Sequence, residues 1–425
     1  MLRRSLLLFL TVMCSGLLTK AQMTADTLHI DLDSAESLFL HQNFSLLAQK
    51  YNVDAQKALI LQARLWPNPN LSLANGPLWH VSQPVDATFF HNSSISASLS
   101  QLILLAGKRN KQIKLAEANA KLSEYQFFDL LRTLKYTLRT DYFNIYYLQQ
   151  SAKVYHEEIT SLQQVVSAFA EQAGKGYIAE KEVVRVKAQL YSLQSEYNDL
   201  NNQINDRQSE LKLVLQVKNT TYIDPVPDSA SLHNLDPARY SLGAMIDSAY
   251  RNRTDLQIAR ANSEINKLNY SYQKSLGVPD LTLSLSFDQQ GSYVNNFQAL
   301  GASIDLPFFN RNQGNINSAK AMIDFSAATE KSTTATVEEN VYRSLQKAFD
   351  NDKLYRNIDP AFYQDFNRLL HEVLINYQKR NISLLEFLDF YDSYKQNILQ
   401  ENAIQYNRVS AFEDLNYYTG TSFFN

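Results

Sequence analysis

The feature that most limits the fold is a run from Lys108 to Ala173, 66 residues without a glycine or proline. It is followed by Gly174-Lys-Gly-Tyr177 and by a second uninterrupted run to Asp224. Glycine and proline are the usual helix breakers, and without them a helix of this length would extend roughly 100 Å at 1.5 Å per residue. The average globular helix has about 11 or 12 residues. Such a rod cannot be buried in one compact core.

Its apolar residues show what it packs against. Phe127, Leu131, Leu134, Leu138, Tyr142 and Ile145 recur at steps of three and four, and Val186, Leu190, Leu193, Tyr197, Leu200 and Ile204 repeat the pattern on the return run. Two long helices joined by a glycine-containing tip are expected to fold back as an antiparallel coiled coil, left-handed for a seven-residue repeat. Phe128, Leu130, Tyr146 and Tyr147 lie off that seam. They predict a second apolar face that touches further helices.

With 425 residues, 45% of them hydrophobic, the chain is that of a folded protein of two or three domains. Residues 1–21 read as a cleavable secretory signal, with Arg3 and Arg4 ahead of an apolar stretch from Leu6 to Leu18, then Thr19 and Ala21 at the cleavage positions. The single cysteine, Cys14, falls inside that signal, so the expected mature chain has no thiol, disulfide or thiolate metal site. Lipid modification of Cys14 is disfavoured by Met13, where a small residue is expected. Loss of Arg3, Arg4 and Lys20 takes the formal charge from −3 to −6, which disfavours nucleic acid as a partner. No mature segment reaches 18 consecutive apolar residues. Any membrane role must be carried by strands.

In chain order, Asp33 with Glu36 is expected to cap a short helix ending near His41, and a second helix runs from about Phe44 to Trp66, stopped by Pro67 and Pro69. Residues 70–74 alternate apolar and polar, and Ser94-Ile-Ser-Ala-Ser-Leu-Ser100 does so again. Both predict strands with one apolar and one serine-lined face, as in a half-buried sheet or a membrane barrel wall. The long hairpin follows. Residues 219–240, with Pro225, Pro227 and Pro237, then break periodicity and read as a linker.

From there the programme restarts. Leu46 of Asn43-Phe-Ser-Leu matches Leu256 of Arg253-Thr-Asp-Leu, Pro69-Asn-Leu-Ser-Leu73 matches Pro279-Asp-Leu-Thr-Leu283, Ala97-Ser-Leu matches Ala302-Ser-Ile, and Gly176-Tyr-Ile178 matches Arg380-Asn-Ile382. Four matches in one order indicate a tandem duplication, with a first repeat over 22–218 and a second over 241–425. The second repeat carries its own strand pair. Leu281, Leu283, Leu285 and Phe287 alternate with Thr282, Ser284 and Ser286; Leu300, Ala302, Ile304 and Leu306 alternate with Gly301, Ser303 and Asp305. Its helical hairpin runs from about Asn315 to Tyr418 and turns near Lys379 to Asn381, with a kink or break expected at Pro360. Four strands cannot close a barrel, and an open edge is not tolerated in lipid. Two copies would supply eight strands and three would supply twelve.

These residues resemble the TolC family of outer-membrane efflux channels over essentially the whole mature chain. The stretch Ala302-Ser-Ile-Asp-Leu-Pro-Phe-Phe-Asn-Arg-Asn-Gln-Gly-Asn-Ile-Asn-Ser-Ala-Lys-Ala321 is similar to the family's passage from strand to long helix. Ser100-Gln-Leu-Ile-Leu-Leu-Ala-Gly-Lys-Arg109 is similar to the heavy-metal cation branch. Tyr377-Gln-Lys-Arg-Asn-Ile-Ser-Leu-Leu-Glu-Phe-Leu-Asp389 is similar to the periplasmic turn, with Arg380 and Asn381 where smaller residues are usual. The resemblance implies a mainly α chain with membrane β, a homotrimer with a twelve-stranded outer-membrane barrel, and a helical tunnel in the periplasm. It also implies outer-membrane lipid, a periplasmic adaptor and an inner-membrane pump of the resistance-nodulation-division type as partners. The implied role is a passive conduit for small molecules or metal cations, with no cofactor and no catalytic step. A soluble periplasmic coiled-coil adaptor is the alternative, and two matched strand pairs with one apolar face each argue against it.

Several sharper readings yield to plainer ones. Gly174-Lys-Gly-Tyr-Ile-Ala179 loosely fits a dinucleotide-binding pattern, but a helix and not a strand precedes it. His156-Glu-Glu-Ile-Thr160 lacks the second histidine of a zinc-protease helix, and the other histidines are scattered. Phe423-Phe424-Asn425 fits an outer-membrane assembly signal or a packed helix tail.

Two sets of residues remain as candidate sites. Lys175, Gly176, Tyr177 and Ile178 form one turn, and Lys379, Arg380, Asn381 and Ile382 form the other. As the ends of rods whose sides are used in packing, these turns are free to dock an adaptor. Glu386 and Asp389, three residues apart on one helix face with Tyr377 nearby, are the candidate periplasmic aperture. The resemblance implies acidic residues lining the entrance there, and a trimer would gather six carboxylates. Ordinary surface charge is the plainer reading of the pair.

Overall fold

The computed structural model describes residues 26–76, 94–228, 232, 234–290, 293–359, 368–369, 372–373, 375–377, 379 and 381–424. In chain order the elements are β1 (Thr27–Ile30), α1 (Leu32–Gln42), α2 (Phe44–Arg64), β2 (Asn70–Gly76), β3 (Ser94–Ile103), α3 (Lys108–Gly174) and α4 (Glu180–Leu215). They continue with β4 (Tyr222–Pro225), α5 (Leu242–Asn252), α6 (Thr254–Leu276), β5 (Leu281–Asp288), β6 (Phe297–Ile304), α7 (Gln313–Arg356) and α8 (Leu384–Thr419). The signal segment with Cys14, the break expected at Pro360, and Asn425 lie outside the described residues. No described helix is long and apolar enough to cross a membrane.

Two compact units are present. One comprises residues 1–43, 134–236 and 350–413, the other 44–133, 237–349 and 414–425. Each draws on both halves of the sequence.

The second unit holds an antiparallel four-stranded sheet in the order β2-β3-β5-β6. Its register aligns Leu71, Leu99, Leu285 and Leu300 in one continuous row across all four strands. The adjacent row, Ser72, Ser98, Ser286 and Ala299, points to the opposite face because successive side chains alternate in a pleated strand. All four leucines of the first row are exposed, Leu300 at 83%. A Cβ at position 301 would come within 2.6 Å of the Ser284 hydroxyl on the facing strand, so a larger residue there requires that hydroxyl to rotate away. Among the described residues β2 and β6 each have one unpaired edge.

The first unit is built on the expected seam. Val186, Leu190, Leu193, Leu200 and Ile204 of α4 are buried, as are Leu138, Tyr142 and Ile145 of α3. A strict heptad would place residue 141 on that seam, and it is an aspartate. Asp141 is buried with Oδ2 lacking a hydrogen-bond partner. Burial pushes its carboxyl up to about 7, Glu210 adds to the rise, and Arg207 at 3.6 Å opposes it. Tyr147, off the seam, is also buried, whereas Phe128 is exposed. Leu162 of α3, Val186 and Leu190 of α4, and Phe387 and Tyr391 of α8 form one core cluster, so the hairpin packs against a third helix.

Two local expectations are corrected. Asp31, and not Asp33, caps α1: it is extended (φ −79°, ψ 167°), as an N-cap must be, and its carboxylate accepts the Ser34 backbone N–H at 2.8 Å. Glu36 instead pairs with Arg139 at 2.7 Å and Lys135 at 2.8 Å. The segment read as a linker is partly structured, since β4 pairs in parallel with β1. Gln208 fixes that strand by donating to the Ile223 carbonyl at 2.5 Å and accepting the Ile223 N–H at 3.0 Å.

Candidate functional site: the two hairpin turns

The first turn is a Schellman motif. The Tyr177 N–H reaches back to the Gln172 carbonyl at 3.0 Å, and the Gly176 N–H reaches the Ala173 carbonyl at 2.9 Å. Gly176 has φ +77°, the left-handed conformation this motif needs at its penultimate residue. A Cβ there meets nothing within 4 Å, so substitution strains the backbone without a clash. The second turn repeats the long bond, the Asn381 N–H donating to the Asn376 carbonyl at 2.9 Å. Arg380, at the position matching Gly176, lies outside the described residues.

Beyond the second turn, Ser383-Leu-Leu-Glu386 forms a capping box at the start of α8. The Ser383 N–H donates to the Glu386 carboxylate at 2.8 Å, and the Glu386 N–H donates to the Ser383 hydroxyl at 3.2 Å. The Ser383 backbone N–H, and then its hydroxyl, hold the Glu386 carboxyl below the usual glutamate range. Glu386 and Asp389 are both exposed. Tyr377 stacks on Phe387, ring centroids 4.4 Å apart and planes within 15°, and also meets Phe169 at 5.8 Å. Its buried hydroxyl has no hydrogen-bond partner, and burial raises its pKa.

Tyr177, Ile178, Tyr377 and Ile382 from the two turns line one groove of about 860 Å³, with Phe169 on its wall and Glu182 and Arg185 beside it. Lys175, Gly176, Lys379 and Asn381 are not on that wall, and neither are Glu386 and Asp389. The turns therefore border a recess of mixed polar and apolar lining, and Glu386 and Asp389 are not part of that lining.

Further along the same bundle is a buried polar cluster that spacing in the sequence gave no means to find. Lys395, itself buried, bonds to Glu196 at 2.8 Å and Asp392 at 3.0 Å. Tyr155 donates to Glu196 at 3.2 Å. Glu158 lies nearby with Oε1 unpartnered, and burial pushes its carboxyl up to about 8, against the pull of Lys395. A carboxyl raised on folding contributes stability that is fully present below its unfolded pKa and is lost as pH rises through the folded one. The window here runs from about 4.5 to about 8. Glu158→Gln should leave thermal stability little changed near the lower limit and raise it above pH 8. Equal curves at both ends would contradict the buried-carboxyl account. Among the described residues no group of three or more His, Cys, Asp or Glu is placed to hold a metal.

Residues 36–215 match the family described as outer membrane efflux protein. The chain is 24% identical over 370 residues to the cobalt-zinc-cadmium resistance protein CzcC of Cupriavidus metallidurans, covering 85% of this chain and 82% of that one. Its fold is similar to the Campylobacter jejuni CmeC outer membrane channel, with a TM-score of 0.75 at 18% identity over 92% of this chain and 86% of that one. It is also similar to the outer membrane protein VceC of Vibrio cholerae, with a TM-score of 0.71 at 16% identity over 92% and 96%. Residues 36–215 thus resemble the outer membrane efflux proteins, and along nearly its whole length the chain shares the fold of solved outer membrane channels.

Proposed function

We propose that three copies of this chain close a twelve-stranded barrel in the outer membrane and continue it as a helical conduit into the periplasm. An adaptor docks on the two turns, and an inner-membrane pump of the resistance-nodulation-division type supplies the cargo. The observation that carries this reading is the four-stranded sheet with two open edges and an exposed leucine row, which lipid tolerates only when the edges are joined. A soluble adaptor has no use for such a wall. An internal duplication with repeats over 22–218 and 241–425 accords with it. Asn43 and Arg253, 210 residues apart, both end a short helix with φ −68° and return their N–H to a helical carbonyl.

The cargo we assign is divalent metal cations, on the likeness to CzcC. The aperture is assigned to Glu386 and Asp389, whose ring would attract cations and resist closure unless its repulsion is relieved. The Glu386→Ala, Asp389→Ala double variant should lower cation selectivity and weaken block by multivalent cations added from the periplasmic side in planar bilayers. Selectivity and block equal to the parent would leave the pair as surface charge and the capping box alone.

Docking on the turns has its own test. Gly176→Val forces a branched side chain into φ +77°, at a cost of roughly 1–2 kcal/mol to the turn. It should abolish cadmium and zinc export in cells while leaving the oligomer yield intact. Unchanged export would count against docking there.

A further inference from the structure

The two helices of the long hairpin and β4 enclose a second recess, which shares no lining residue with the groove at the turns. Its volume is about 700 Å³, within the range of small-ligand sites. Three tyrosines line it, each from a different element: Tyr146 of α3, Tyr197 of α4 and Tyr222 of β4. All three are half-buried, so part of each side chain remains accessible. The amides of Gln149 and Asn201 share the lining with them.

These walls are set before any ligand arrives. The Tyr146 ring meets Tyr147 edge-on with centroids 5.0 Å apart, and Tyr197 lies 6.3 Å from Tyr155. The Tyr222 hydroxyl accepts from Gln149 Nε2 at 3.0 Å, and the same amide reaches the Ile223 carbonyl at 3.5 Å. Pro225 and Pro227 add a segment whose pyrrolidine rings fix φ. Groups already held in place lose less entropy on binding than mobile ones. Charge is confined to a few positions: Lys153, His156 and Glu157 are exposed along α3, and Asp224 of β4 is held by His29 at 2.7 Å.

The composition selects the class of ligand. A lipid chain needs a continuous apolar lining, and here phenols and amides interrupt it. A divalent cation needs clustered donors, and among the described residues no group of three or more His, Cys, Asp or Glu is so placed. A pyranose suits the recess, because its C–H face lies on a tyrosine ring while its hydroxyl and N-acetyl groups bond to phenol and amide. We propose that this recess binds peptidoglycan through its glycan strand, a linear polymer of N-acetylated aminosugars. Lys153 and His156 meet carboxylates borne along that strand. The proposal rests on the channel reading above, because a conduit that runs from the outer membrane into the periplasm passes through this polymer. Three copies present three recesses, so individually weak contacts add through avidity.

The test is co-sedimentation of the detergent-extracted oligomer with purified peptidoglycan sacculi. The parent should sediment with intact sacculi and with sacculi stripped of stem peptides by an amidase, and a soluble tetramer of N-acetylglucosamine should compete. Tyr197→Ala should weaken binding about tenfold, the loss expected for one stacked ring. Lys153→Glu should also weaken it, and because Lys153 is exposed this variant keeps the test open if Tyr197→Ala folds poorly. Binding that disappears with the stem peptides would mean that peptide, and not glycan, is the ligand. Binding unchanged in both variants would place the contact elsewhere on the chain. An outer-membrane oligomer that ignores sacculi would mean that water or another protein, such as a second copy, occupies the recess. Each of these results overturns the glycan site and leaves the channel standing, whereas absence of the protein from the outer-membrane fraction overturns both.

Discussion

Replacing Arg408 with alanine is expected to destabilise the helical bundle by about 3 kcal/mol, because it removes the buried one of two arginine partners of a buried carboxylate and leaves two backbone carbonyls without their donor. Arg408 donates from Nε to Asp352 at 2.8 Å, from Nη1 to the Leu232 carbonyl at 2.7 Å and from Nη2 to the Leu235 carbonyl at 2.7 Å. Its guanidinium also covers the Tyr355 ring at 4.3 Å. The side chains of Arg408 and Asp352 are 4% and 7% exposed, so water cannot replace the lost partners. Arg356 also bonds Asp352, at 2.6 Å, but from a half-exposed position. Arg356→Ala should therefore cost less than about 1 kcal/mol. Thermal melts of the detergent-extracted protein check both. Equal losses for the two variants would mean that the buried pair is not what holds Leu232 and Leu235 to α8.

The second large effect lies in the sheet. Leu285→Arg, in the leucine row, is expected to cost about 2–4 kcal/mol in a bilayer, the penalty for a cation facing lipid near the midplane. Ser284→Arg, its neighbour on the opposite face, should be tolerated and should change conductance instead. Outer-membrane yield and single-channel recordings read the two outcomes. Loss of membrane yield with Ser284→Arg, and not with Leu285→Arg, would invert the assignment of the faces.

The strands and the seam were legible because both rest on periodicity. The serine and leucine alternation of 94–100 and 281–287 fixes a pleat, and the steps from Val186 to Ile204 fix a helix face. β1 and β4 escaped because four residues are too few to show a period, and because their pairing spans 195 residues of chain, as from His29 to Asp224. In Ser383-Leu-Leu-Glu386 the serine and glutamate stand at capping-box spacing, so the start of α8 is legible in the sequence, and the glutamate serves the cap whatever its exposed charge does. Asp141 breaks a heptad visibly in the sequence, yet its burial depends on Arg207 and Glu210 of the returning helix. The Glu158 and Lys395 cluster joins three helices at separations no local motif encodes.

The account stands or falls on joining the open edges of β2 and β6 between copies. Native mass spectrometry of protein extracted gently from the outer-membrane fraction measures this directly. The expected mass is that of three mature chains, twelve strands in all. A mass of one chain, or of two with eight strands, would contradict it.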